Sequence, residues 1–177
     1  MNISRRVLLF NSIMTAGCGT LGKGNNGSVK PNTLKGEETR RFLEGYPVGR
    51  VKREAKSVHL HIFERYADAL KGLNGFSHVF VLYWFDRNDT PEKRSILQVH
   101  PRGNKRNPLT GVFACRAPVR PNLIALSLCR IISVKGDTVH IDKIDALNNS
   151  PILDLKPYIP QIDCISEAVR VPDWLRE

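Results

Sequence analysis

Several things are scarce in this chain, and each scarcity excludes something. There are four cysteines in 177 residues, none in a CxxC pair, which excludes a zinc ribbon and a disulfide scaffold. No run approaches the roughly 18–20 consecutive apolar residues of a membrane helix, so a channel or transporter built from such helices is excluded. GxGxxG, Walker and GxSxG patterns are absent, which removes the common dinucleotide, phosphate-loop and serine-hydrolase readings. Acid is also short, with 17 Asp and Glu against 27 Lys and Arg and a net charge of +10. That balance favours a polyanionic partner, nucleic acid first and an anionic membrane second. The remaining composition, 41% hydrophobic and 25% charged, is that of a globular chain, and the length suits one domain with a tail.

The shortage of acid is local. From Lys93 to Gly136 there is no Asp or Glu, while Lys93, Arg94, Arg102, Lys105, Arg106, Arg116, Arg120, Arg130 and Lys135 all fall there. This stretch reads as one basic surface able to follow a phosphate backbone.

Residues 1–45 read as a signal-like segment and flexible linker. Arg5 and Arg6 precede the apolar Val7–Phe10, and Thr15-Ala16-Gly17-Cys18 resembles a lipoprotein cleavage box. Two readings stay open: an export signal with a lipid anchor at Cys18, or an extension from a mis-called start codon. Residues 19–36, rich in Gly, Asn and Lys, form the linker. The folded domain is expected over 46–165, with 166–177 as a C-terminal tail.

The domain reads mainly as β. Strands are expected at Tyr46–Arg53, Ser57–Phe63, His78–Phe85, Ile96–His100, Gly111–Cys115, Ile124–Val134 and Thr138–Ile144, with a Gly136-Asp137 hairpin turn. His78–Phe85 is an unbroken apolar run, β-branched and aromatic, as in a central strand. One helix is expected over 64–73, where Tyr66, Ala69, Leu70 and Leu73 share a face. Many short strands and one short helix predict a small closed or nearly closed β-barrel.

Chemistry-bearing residues are few. His59 and His61 would share a strand face, but no third ligand is near, so no metal is expected. Cys115, Cys129 and Cys164 read as buried thiols of a reducing compartment, which conflicts with export. In 111–122, Pro118 and Pro121 stiffen a loop flanked by Arg116 and Arg120, suited to holding a ligand against main-chain groups. Asp154, Lys156 and Tyr158 alternate along an extended segment and project on one face. They form either a polar site or a salt-bridged strand exit.

Four segments in order, GFSHVFVLYWF at 75–85, HPRG at 100–103, GVFACRAPVRPN at 111–122 and IDALNNSPILDLKPYIP at 144–160, resemble the TsaA-like family, the TrmO-type tRNA methyltransferases, in its short form without the C-terminal domain. The resemblance implies a homodimeric barrel binding S-adenosylmethionine and methylating N6 of threonylcarbamoyl-adenosine beside the tRNA anticodon, in the cytoplasm. It implies a cofactor site at Asp86, Arg87, Arg116, Leu126, Asp145, Ala146, Leu147 and Asn148. Arg120, Lys105 and Arg106 are the expected RNA contacts. Asp154 or Tyr158 is expected to assist proton removal, and Lys156 to position phosphate or the carbamoyl oxygen. Two alternatives stand beside this: a non-catalytic barrel for an adenosyl ligand or RNA, and an exported lipoprotein anchored at Cys18 that keeps the barrel for a different small molecule.

Overall fold

A computed structural model describes residues 44–55 and 57–176. The signal-like segment, the Cys18 lipid site and most of the linker lie outside the described residues. Six strands close into an antiparallel barrel in the order β1 (Gly49–Arg53), β2 (Val58–Ile62), β7 (Thr138–Ile141), β6 (Ile124–Lys135), β3 (His78–Trp84) and β8 (Pro151–Pro157), with β8 returning to β1. A two-residue ribbon, β4 (Gln98–Val99) and β5 (Thr110–Gly111), lies in the long connection between β3 and β6. No helix among the described residues is long and apolar enough to cross a membrane.

Strand alternation builds the core. Val79, Val81 and Tyr83 of β3, Ala125 and Cys129 of β6, Val51, Leu60, Val139 and Ile152 all point inward and are buried. At the β1–β2 pair a side chain at Gly49 would collide with the His61 carbonyl oxygen, so only glycine allows this close pairing. The expected hairpin forms: Gly136 takes a left-handed φ of 57°, and Thr138 Oγ1 donates to Asp137 Oδ1 at 2.8 Å.

Two strands are markedly shorter than expected, Gly49–Arg53 within 46–53 and Gln98–Val99 within 96–100, and three further elements differ. The helix over 64–73 is instead a 3-10 turn at Glu64–Leu70 and another at Leu73–Gly75. No side chain caps its start, and Gly72 at φ 88° breaks the run, so a segment too short to nucleate an α-helix stays tight. Gly111–Cys115 is not a strand beyond Gly111. Val112–Ala114 turns as 3-10, burying Val112 and leaving Phe113 80% exposed. The last strand of the hairpin stops at Ile141 instead of Ile144, because Asp142 Oδ1 accepts from the backbone N–H of both Arg130 and Lys143 and ends the ladder.

The cysteines also divide. Cys129 is buried as expected, Cys115 is half-buried, and Cys164 is exposed. Burial, then the charge of Asp142, pushes the Cys129 thiol up to about 12. The unfolded thiol ionises near its ordinary 9.0, so this group's contribution to stability holds below that value and is lost as pH rises toward 12. A thiol reagent at neutral pH should label Cys164 quickly and Cys129 only after denaturation, as read by mass spectrometry of digested protein. Leu60→Ala, at a fully buried position, should lower unfolding stability by about 2–5 kcal/mol, measured by denaturant titration.

Candidate functional site

One end of the barrel carries a groove. It forms where β3 ends, β6 begins and the 143–150 turn crosses between β7 and β8. Two adjoining cavities make it up, of about 830 Å³ and about 340 Å³. Both are lined by Tyr83, Phe85, Arg116 and Asp145. The larger adds Leu126 and Lys143, and the smaller adds Asp86, Arg87, Ala146 and Leu147. These volumes are those of small-ligand sites.

Local bonding explains why the walls stand where they do. Asp86–Asn88 turn out of β3, and Asn88 Nδ2 donates to the Pro118 carbonyl at 3.3 Å, tying that turn to the proline loop. Lys93 Nζ donates to Asn88 Oδ1 at 2.8 Å. Arg94 Nη1 donates to the Pro121 carbonyl at 2.6 Å, and its Nε pairs with Asp89 at 2.6 Å. Arg120 Nη1 reaches the carbonyls of Cys115 and Ala117, each at 3.4 Å. The loop ends at Leu123, whose backbone is left-handed at φ 55° while its side chain is fully buried. That strain, unusual for a bulky residue, is offset by burial and by the bond from Phe85 N–H to the Leu123 carbonyl at 2.9 Å.

The 143–150 turn is held from β1. Arg53 Nη1 donates to the carbonyls of Ile144 at 2.7 Å and Ala146 at 2.9 Å. Asn148 Oδ1 accepts from the Arg53 N–H at 3.0 Å, and Lys52 Nζ donates to Asn149 Oδ1 at 2.8 Å.

Seven of the eight residues expected to hold a cofactor therefore line the groove: Asp86, Arg87, Arg116, Leu126, Asp145, Ala146 and Leu147. Asn148 does not line it and instead pins the turn to β1. The expected RNA contacts divide. Lys105 and Arg106 are exposed on the loop after Pro101, whereas Arg120 lines the groove and spends its guanidinium on loop carbonyls. Within the basic stretch, Lys93, Arg94 and Arg120 are partly structural.

Asp154, Lys156 and Tyr158 stand apart from the groove. Asp154 and Lys156 lie on the outer barrel face and pair at 2.8 Å, which raises the Lys156 pKa, chiefly through that hydrogen bond. The Tyr158 ring packs against Phe80 with centroids 5.9 Å apart. Desolvation, then the thiol of Cys164, raises its phenol pKa, so it stays protonated at neutral pH and serves as a donor. In the sheet register Leu82 stands between Leu126 and Asp154. Two strand spacings, about 10 Å, separate the groove wall from the Asp154 backbone.

Sequence reasoning missed Phe85 and Lys143 of the lining, and two further residues that matter more. Tyr83 looked like one more member of an apolar run, yet its phenol lines both cavities; burial raises its pKa first, with the Asp145 charge adding to that. Arg53 sits far from the groove in sequence, and only the barrel's closure brings it under the turn. Among the described residues no cluster of three His, Cys, Asp or Glu could hold a metal. His59 stacks on His140 with centroids 4.6 Å apart, and His61 Nδ1 lies 3.4 Å from Asp137.

The groove of this small barrel carries Arg87, Arg116 and Arg120, Asp86 and Asp145 and an apolar wall, an arrangement that suits a small ligand with both charges and a flat apolar part. The profile of the tRNA-methyltransferase O N-terminal domain matches residues 41–164, and the chain belongs to that family. It is 44% identical over 118 residues, 67% of this chain and 94% of the relative, to a probable S-adenosyl-L-methionine-binding protein of Methanocaldococcus jannaschii. It is 37% identical over 111 residues to the mouse tRNA (adenine(37)-N6)-methyltransferase, covering 63% of this chain and 25% of that protein. A crystal structure of TrmO from Pseudomonas aeruginosa superposes with a TM-score of 0.56 at 25% identity, covering 73% of this chain and 62% of that one. The chain thus spans less than two thirds of that solved TrmO chain.

Arg53→Ala should release the groove turn. Amide hydrogen exchange at 144–147 should speed up at least several-fold, while exchange in β3 stays unchanged.

Proposed function

We propose that the groove binds S-adenosylmethionine and that the chain methylates adenine N6 in tRNA, the acceptor being N6-threonylcarbamoyl-adenosine beside the anticodon. The observation that carries this is the convergence of Asp86, Arg87, Arg116, Leu126 and 145–147 on one groove from three separate segments. The donor set fits the cofactor. Arg87 and Arg116 suit its carboxylate, and Asp86 and Asp145 suit its ammonium or ribose hydroxyls. Phe85, Leu126, Ala146 and Leu147 suit its adenine. When bound, S-adenosylmethionine supplies an electrophilic methyl group on a sulfonium centre.

The acceptor sets a demand on the protein. The N6 lone pair is delocalised into the threonylcarbamoyl urea, so the nitrogen is a weak nucleophile. The chain must hold it in line with the methyl group and accept the N6 proton as the new N–C bond forms. Asp154 takes that proton, Lys156 orients a phosphate or the carbamoyl oxygen, and protonated Tyr158 donates a hydrogen bond.

These three residues act on the groove of a second copy. Ile124, Leu126, Leu128 and Ile132 project outward from β6, each 43–47% exposed, beside Phe80 and Leu82 of β3. This apolar stripe is the proposed two-fold interface of a homodimer. Its residues Ile124, Leu126 and Leu128 also edge the groove, and Leu82 stands between Leu126 and Asp154, so pairing two copies across it brings one chain's Asp154 toward the other's Leu126. The substrate places the protein in the cytoplasm.

Calorimetry should show Arg116→Ala weakening cofactor binding at least tenfold, while Asp154→Asn binds normally and loses most of its single-turnover rate. Co-expressing the two variants should restore about a quarter of wild-type activity, because half the dimers would be mixed and carry one intact site. Activity no greater than that of the parents would overturn the shared site. Full activity in both Asp154→Asn and Tyr158→Phe would remove the proton assignment.

A further inference from the structure

Beside the groove lies a further cavity, of about 880 Å³, that shares part of one wall with it. Its walls include Phe113, Pro118, Val119 and Trp174, and its charged groups are Arg102 and Arg116. No Asp or Glu lines it. Trp174 and Leu175 come from the turn Asp173–Leu175, beyond residue 164 where the family match ends. Arg116, Phe113, Cys115 and Pro118 line both this cavity and the groove, so the two are continuous.

The floor is built with care. Arg102 holds a left-handed backbone at φ 59°, followed by Gly103 at φ 67°. Buried Asn107 fixes this bend: its Nδ2 donates to the Pro101 carbonyl at 2.9 Å, and its own carbonyl lies 2.8 Å from His100 Nδ1. A strained arginine held by a buried amide is a feature that folding alone does not require. Neither Arg102 nor Arg116 has an ion pair among the described residues. Phe113 is 80% exposed, an unusual position for a phenylalanine unless something covers it.

Resting on the tRNA reading above, we infer that this cavity receives a nucleobase flanking the acceptor adenosine. The base would stack against Trp174 and Phe113 while Arg102 meets the adjoining phosphate. A flat π-face against aromatic rings with cations at the rim is how single-stranded nucleic acid is held without sequence readout. The acceptor base must leave the loop's stack to enter the groove, which frees its neighbour to stack elsewhere, and continuity through Arg116 puts this cavity within one nucleotide's reach.

The test uses the full chain and an unmodified anticodon stem-loop RNA, read by anisotropy of a fluorescent label on the RNA, so it does not depend on methyl transfer. Trp174→Ala should weaken RNA binding roughly tenfold, Trp174→Phe should retain most of it, and cofactor affinity by calorimetry should not change in either. A stem-loop with abasic sites flanking the acceptor should lose a similar factor with wild type and little more with Trp174→Ala. The chain has two tryptophans, and Trp84 is buried at 5% exposure, so RNA should quench the emission of Trp174. An equal abasic penalty in wild type and Trp174→Ala would overturn the inference, as would quenching that requires the threonylcarbamoyl group. If RNA quenches Trp174 and the abasic penalty vanishes in Trp174→Ala while wild type transfers no methyl group, the base cavity stands and the methyltransferase reading falls. Normal transfer with unaltered RNA binding by Trp174→Ala leaves the opposite result.

Discussion

β3 is hydrogen-bonded along both edges, to β6 on one side and β8 on the other, and everything else hangs from that pairing. Its inward residues Val79, Val81 and Tyr83 seat the core. Its end at Trp84 decides where the chain must leave the barrel, and the residues leaving it, Phe85–Asn88, become one wall of the groove. β6 starts opposite that end, with Ile124 facing Trp84, so the proline loop feeding β6 must pass over the same rim. β8 lies along the other edge, which fixes the 143–150 turn across the opening. A groove at this rim is a consequence of closing the barrel around one apolar strand, and the charged residues at its edge give it chemistry.

Strand positions were largely legible because a half-buried strand leaves a period of two in the sequence. β3 and β6 were read to within one residue and the Gly136 turn was found, while β7 was read three residues too long. The misreadings came where short-range pattern lacked a partner. Gly111–Cys115 looks like a strand, yet nothing pairs with it past Gly111, so Val112 turns inward and Phe113 is left outside. The apolar face of 64–73 is real, but without a cap and with Gly72 at its end it cannot pay for an α-helix.

Seven of the eight residues that the motif resemblance implied lie along one groove, and Asn148 does not. The groove's supports were not legible. Arg53 holds the turn from 91 residues away, and Tyr83 is a wall of the site although its neighbours made it look like core. Neither leaves a local trace. Charge alone did not separate roles: within the acid-free stretch from 93 to 136, read as one basic surface, Lys93, Arg94 and Arg120 bond to side-chain or main-chain oxygens and stiffen the loop. Of the other six, Arg102 and Arg116 line the adjoining cavity, and Lys105, Arg106, Arg130 and Lys135 are exposed. Asp154 and Lys156 form a salt-bridged pair on the outer face, and the proposed pairing of two copies is what would carry them to a groove.

The most direct test of this account is transfer of labelled methyl from S-adenosylmethionine to tRNA, carried out with and without the threonylcarbamoyl group on the adenosine beside the anticodon. Label on N6 of the modified nucleoside alone is the predicted result. Label on both tRNAs would contradict the acceptor assigned here, and cofactor bound by the groove with no label on either tRNA would contradict the methyltransferase itself.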